Sequence, residues 1–142
     1  MITSAKPDLR AALLCMSQRG LRVGALPTLV FRGTVFCGVS KGKPIEGTMP
    51  RSVLEAVKEA HLRPSCPFRN QTARRLADRV RRHCERLAAR GLVETVYSAH
   101  DLRHFFAVGD YHAHRDIYRL KELLGHSDLR NTERYLRSLK VL

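Results

Sequence analysis

Three short strings in the last third of the chain hold residue types suited to chemistry on a phosphate: His100-Asp101-Leu102-Arg103-His104, Leu124-Gly125-His126 and Thr132-Glu133-Arg134-Tyr135. His100 and Arg103 are three residues apart, so both can point the same way at the start of one helix. A helix N-terminus already favours anions through its free N–H groups and its dipole. An Arg and a His added there make a phosphate pocket. His126 follows Gly125 directly, on the turn after a helix that Ile117, Leu120 and Leu124 would pack, and Tyr135 lies on the next short helix. Breaking a phosphodiester without a metal requires a nucleophile, cations around the non-bridging oxygens and an acid for the departing oxygen. A tyrosine phenol has a pKa near 10 and is weakly nucleophilic. Neighbouring cations lower that pKa and stabilise the pentacoordinate transition state. Taken singly, Tyr135 would read as an amphipathic helix residue and His126 as a helix-end cap.

The order and spacing of these residues resemble a known pattern. His-x-x-Arg, then Leu-Gly-His with its His 23 residues after that Arg, then Tyr nine residues later, is similar to the signature of tyrosine recombinases of the phage-integrase family. Upstream, Arg19-Gly20-Leu21-Arg22-Val23 resembles the family's first arginine box, and Ser40-Lys41-Gly42-Lys43 resembles the sheet turn that bears its lysine. The resemblance spans about residues 9–139. It implies that Tyr135 forms a 3′-phosphotyrosine and releases a 5′-hydroxyl, with Arg22 and Arg103 clamping the phosphate. His126 would hydrogen-bond a phosphate oxygen, and His100 would assist proton transfer from Tyr135. Lys41 would protonate the leaving oxygen, with Lys43, two residues on, as its alternative. His104 belongs to the same string and reads as a buried hydrogen-bonding residue. Tyr97, Tyr111 and Tyr118 do not stand at the required spacing from a Gly-His pair. The covalent bond conserves energy, so no metal, nucleotide or other cofactor is expected. The function implied is site-specific DNA recombination by an integrase of a prophage or mobile element. A type IB topoisomerase shares the nucleophile and the pocket, and a decayed remnant would only bind DNA.

Some features depart from the pattern. Ala25 stands where the family commonly has a Glu three residues after the first arginine, which would leave Arg22 less firmly held. The connection from Arg22 to Lys41 is short, implying trimmed strands. The first helix begins within ten residues of Met1 and seven residues follow Tyr135. Residues 1–142 are thus expected to be one catalytic domain, without the N-terminal core-binding domain that completes the family's clamp.

The elements that must position these residues can be read in outline. Leu9, Ala12, Leu13 and Met16 share one helical face between about Pro7 and Arg19, with Asp8 as a start signal and Gly20 as a stop. Leu29-Val30-Phe31, Thr34-Val35-Phe36-Cys37 and roughly Ile45 to Met49 read as short strands, turning at Arg32-Gly33 and at Ser40 to Pro44. A helix follows from Pro50, as an N1 proline, to about His61. A loop spans Arg63 to Gln71, and a long helix runs from Thr72 to Arg90, with residues 92–97 as a short extended piece. Three helices complete the chain at roughly 101–108, 115–124 and 131–140, punctuated by Gly109 and Gly125. The expected fold is mainly α with a small three-stranded antiparallel sheet, as the resemblance also implies.

Composition narrows the partner. Twenty Arg and six Lys against 13 acids give a formal charge of +13. Arg suits phosphates because its planar fork donates two parallel hydrogen bonds. Helix 72–90 holds Arg74, Arg75, Arg79, Arg81, Arg82, Arg86 and Arg90 against only Asp78 and Glu85. Charges this dense repel unless an anion neutralises them, so Arg74, Arg75, Arg79, Arg81, Arg82 and Arg86 are the candidate DNA contacts. Double-stranded DNA is the expected partner, together with other protomers of the same recombinase, at a cytoplasmic, nucleoid-associated location. No apolar run approaches the roughly 20 residues that span a bilayer. Cys15, Cys37, Cys66 and Cys84 form no C-x-x-C pair, and with His61 and His83 they match no compact zinc module.

Overall fold

The computed structural model describes residues 1–142. Helix α1 (Pro7–Arg19) is central and buries Leu9, Leu13, Cys15 and Met16. It packs against α2 (Arg51–Glu59), α3 (Ala73–Ala89) and α4 (Ala99–His114). α1 begins and ends where the sequence places it, but Asp8 does not cap it; its carboxylate lies 2.8 Å from the Arg79 guanidinium on α3. Gly20 closes α1 in the left-handed region at φ +73°. A Cβ there would lie 2.3 Å from the Phe106 ring, so both backbone and packing demand glycine.

Arg22 precedes a 3₁₀ turn, Val23–Thr28, that buries Ala25 and Leu26. The sheet follows, with β1 (Val30–Arg32), β2 (Val35–Ser40) and β3 (Lys43–Thr48) in the order β1-β2-β3, all antiparallel. Phe31 and Phe36 are cross-strand partners and enter the core, while their neighbours on both strands are largely exposed. The Thr28 hydroxyl donates to Ala25 O at 2.6 Å and accepts from Val39 N at 2.9 Å, tying the 3₁₀ turn to β2. β3 is an edge strand, which is why it tolerates Pro44.

Pro50 caps α2 rather than entering it, and Thr72 caps α3 by accepting from Arg75 N. Residues 92–97 form an irregular connection, not a strand. α4 is longer than expected. It starts from a capping box in which the Ser98 side chain accepts from Asp101 N and Asp101 Oδ2 accepts from Ser98 N at 2.7 Å. It then runs straight through Gly109, where a Cβ would meet nothing, and stops at Arg115 with φ +52°. α5 (Ile117–Leu124) and α6 (Leu129–Ser138) complete the chain, each capped by an aspartate, Asp116 and Asp128.

The core has two parts. The larger gathers α1, α2, the sheet and the inner faces of α3 and α4; the smaller consists of Ala107, Leu120, Leu124 and Leu136 between α4, α5 and α6. The fold is mainly helical with one three-stranded antiparallel sheet, as expected. No helix is long and apolar enough to cross a membrane.

Candidate active site

Arg103 is the structural centre of the site. It is buried on α4, and its guanidinium donates to Gly20 O at 2.6 Å and to Leu124 O at 2.9 Å. One side chain thereby joins the end of α1 to the end of α5. Those bonds use two of its five N–H donors; the guanidinium also faces the Tyr135 hydroxyl and the cleft. Burial, then the neighbouring Arg22 cation, lowers its pKa to about 10, so it stays charged at neutral pH. Arg19 makes a parallel tie, donating to Leu123 O at 2.8 Å and Thr48 O at 3.3 Å and lying over the Phe36 ring.

Lys41 occupies the β2–β3 hairpin turn with φ +49°, followed by Gly42 at φ +74°. Two successive positive φ values match the type I′ turn that suits a twisted hairpin. A lysine in this region is uncommon and costs about 1–2 kcal/mol relative to a glycine. The turn carries Lys41 to the cleft. Gly125, at φ +70°, ends α5, and the Gly125 and His126 amides donate back to Glu122 O and Lys121 O at 3.1 Å each. This fixes the backbone of His126. Its Nδ1 lies 2.9 Å from the buried Thr132 hydroxyl of α6. Burial first, then Arg103, Arg22, Lys41 and Lys121, pushes its pKa down to about 4. His126 is therefore neutral at pH 7. A neutral imidazole that accepts from the Thr132 hydroxyl at Nδ1 carries its proton on Nε2.

Tyr135 is half-buried on α6, next to the fully buried Leu136. Burial raises its pKa, while the Arg103 and Arg22 cations pull the other way. Its hydroxyl oxygen lies 2.6 Å from His104 Nδ1. His126 stands edge-on to the Tyr135 ring at 5.9 Å between centroids. His100 does not contact the hydroxyl; it is exposed and meets His104 edge to face at 4.2 Å. The sequence reading set His100 beside the phenol and His104 in the interior. The structure places a half-buried His104 on the phenol oxygen and His100 one ring further out.

Arg22, Lys41, His100, Arg103, His126 and Tyr135 all line one open cleft of about 530 Å³, together with Ser40 and Ala99. No carboxylate lines it. Lys43 faces an adjoining hollow with Lys41, His126 and Asn131 instead. The Arg22 guanidinium has no protein hydrogen-bond or carboxylate partner, and burial lowers its pKa. Two free guanidinium edges, a neutral imidazole N–H, an ammonium and a phenol thus converge on one volume. That set can bind a phosphate diester and attack it.

The α3 arginines lie elsewhere. Arg79, Arg82, Arg86 and Arg90 line a separate hollow of about 480 Å³ with Lys6 and His83. Arg79 is paired with Asp8, and Arg81 with Asp78 and Glu85, whereas Arg82, Arg86 and Arg90 have no acidic partner. Arg74 and Arg75 are exposed at the start of the helix. Sequence reasoning missed the roles of Arg19 and Thr132, and read His104 as a hydrogen-bonding residue without finding its partner Tyr135. Only His104 left a signal, standing one helical turn from His100.

The fold matches solved recombinase structures. XerA recombinase superposes with a TM-score of 0.71 at 19% identity, covering 97% of this chain and 57% of that one. XerH site-specific recombinase bound to difH substrate, in a pre-cleavage complex, gives 0.67 at 19% identity, covering 98% of this chain and 47% of that one. The post-cleavage XerH complex with palindromic difH substrate gives 0.66 at 21%, covering 96% and 46%. The chain spans about half the length of these structures. No curated protein sequence matches it. The sequence profile of the Phage integrase family matches residues 3–141, which is nearly the whole chain and includes every residue of the cleft. This chain belongs to the phage integrase family of tyrosine recombinases.

Proposed function

We propose that this chain breaks and rejoins duplex DNA at specific sites through a 3′-phosphotyrosine on Tyr135, as the strand-transferring part of an integrase of a prophage or mobile element. The supporting observation is the cleft itself: Arg22, Lys41, His100, Arg103, His126 and Tyr135 line it, and no acid does. Arg22 and Arg103 clamp the non-bridging oxygens, where charge grows in the transition state. His126, held neutral with its proton on Nε2, donates to one of those oxygens. Tyr135 Oη attacks phosphorus, the bond to the 5′ oxygen breaks, and the Lys41 ammonium protonates that oxygen. Reversal by a different 5′-hydroxyl rejoins the strand without an external energy source. The cations are side chains, so neither metal nor nucleotide takes part. XerH, whose fold this chain shares, is bound to a DNA substrate. Duplex DNA is accordingly the partner, with further copies of the recombinase on the same DNA.

The test uses nicked duplexes and a denaturing gel that resolves protein–DNA adducts. The native chain forms an adduct that persists in EDTA. Tyr135→Phe, which keeps the ring and removes the oxygen, still binds DNA and forms none. An undiminished adduct in the variant places the nucleophile elsewhere; loss in EDTA with rescue only by Mg²⁺ refutes the mechanism.

A further inference from the structure

We propose that His104, not His100, is the base that takes the proton of Tyr135 as the phenol attacks phosphorus. The inference rests on the strand-transfer reading above and assigns a residue within it.

Contact comes first. His104 Nδ1 lies 2.6 Å from Tyr135 Oη, within the range for direct proton transfer. The rings are 5.1 Å apart at a 33° tilt, so the contact is made at the ring edge that carries Nδ1. His100 lines the cleft with Tyr135 but makes no hydrogen bond to the phenol, and its ring meets that of His104 at 76°. His100 and His104 are one turn apart on α4, and the placement of α6 decides which of them reaches Tyr135.

Charge supports the same assignment. Groups facing His104 on its own helix are His100, Asp101 and Arg103; from α6 comes Tyr135, which Arg22 and His126 face in turn. Burial lowers the His104 pKa, Asp101 opposes that shift, and Arg103 adds to it. The imidazole is therefore neutral at pH 7 and can accept. Burial holds the phenol protonated, so attack requires an acceptor. In the step, the Oη–H bond breaks and its proton passes to Nδ1. The Oη–P bond forms, and the P–O5′ electron pair leaves on the 5′ oxygen, which Lys41 protonates. The new imidazolium sits beside Asp101, whose carboxylate favours it. On rejoining, the same proton returns to the phenol as it departs.

His104→Asn separates a base from a positioning contact, because the amide oxygen accepts a hydrogen bond yet cannot hold a proton. The probe is a pool of nicked duplexes, randomised around the nick, with sulfur replacing the bridging 5′ oxygen. A thiolate leaves without an acid, so loss of Lys41 is tolerated while loss of the base is not. In single turnovers, native adduct formation rises with pH through the His104 pKa, below the usual histidine value, and then levels off. His104→Asn lowers the rate at pH 7 by about 100-fold or more and loses that limb, rising instead at alkaline pH as the phenol ionises. Free imidazole restores part of the rate to His104→Ala. His100→Asn retains the limb, whatever its rate.

A His104→Asn rate within about threefold of native, with the limb intact, overturns the proposal and leaves strand transfer standing. Loss of the limb in His100→Asn instead reassigns the base. Native protein that forms no adduct refutes strand transfer, and this proposal with it. Nitrogen-15 NMR of the native chain is a check that needs no variant. The proposal requires the proton of neutral His104 on Nε2, and a proton on Nδ1 overturns it.

Discussion

At the scale of single residues, four cations surround His126 and keep it from becoming a fifth: Arg103, Arg22, Lys41 and Lys121 all add to the burial that pushes its pKa down to about 4. The same depression, smaller, holds at His100 and His104. A histidine whose folded pKa is lowered stabilises the fold fully above its unfolded value of about 6.5. As pH falls from there toward 4, the unfolded chain binds a proton that the folded chain refuses, and stability is lost. Asp101 is held low by hydrogen bonds from Ser98, so its stabilising effect is present throughout that window and is lost only below it. The Tm of the free protein is thus expected to fall between pH 7 and pH 4.5, with a shallower fall in His126→Gln. Identical slopes in the two proteins would show that His126 is not depressed. The identities of the cleft residues were legible because their spacing is a property of the chain. The partner of Tyr135 was not, because His100 and His104 differ by one helical turn and only the packing of α6 chooses between them.

At the scale of elements, local signals explain what the sequence revealed. The bounds of α1 were readable from an apolar stripe and a glycine stop; those of α4 were not. Ser98-x-x-Asp101 starts α4 earlier than expected, and Gly109 breaks nothing because the helix around it is held on both sides. The stop falls at Arg115, in a left-handed conformation that no glycine announces. Asp8 looked like a cap but binds Arg79, a contact between distant parts of the chain. α6, which carries Tyr135, contributes no residue to the main core. α6 is anchored through Leu136 in the small cluster with Ala107, Leu120 and Leu124. Leu136→Ala removes the apolar anchor and should cost about 2–5 kcal/mol. Because that cluster is separate from the main core, the loss should appear as local opening. Hydrogen exchange is expected to quicken across α5 and α6 while α1 stays protected, and adduct formation should fall before the global Tm does. Uniform acceleration over α1 and α6 alike would mean that the two clusters unfold as one.

At the scale of the whole molecule, the charge of +13 is unevenly compensated. The acids of α1 and α3 are spent on Arg79 and Arg81, leaving Arg82 and Arg86 of α3 and its C-cap Arg90 together beside Lys6 with no counter-charge. Like charges one turn apart destabilise a helix by about 0.2–0.5 kcal/mol per pair, and a phosphate between them reverses the sign. This cluster and the cleft arginines are therefore expected to supply contacts that hold DNA without reading its bases. Under the proposed function, counterion release is expected to set the DNA affinity of these 142 residues. With about six phosphates engaged, affinity for duplex DNA should fall roughly 10³-fold between 50 and 200 mM salt. Replacing Arg82, Arg86 and Arg90 together by Ala should reduce the slope of log affinity against log salt by nearly three, since each lost phosphate contact removes about 0.9. The double change Arg79→Ala and Arg81→Ala should reduce it less, because carboxylates already neutralise both cations. Joining a second DNA-binding domain to the chain should raise affinity through effective concentration without altering the slope contributed by α3. Fluorescence anisotropy over a salt series measures all of these. A triple variant with the native slope would remove α3 from the DNA interface and leave the cleft to hold the duplex alone.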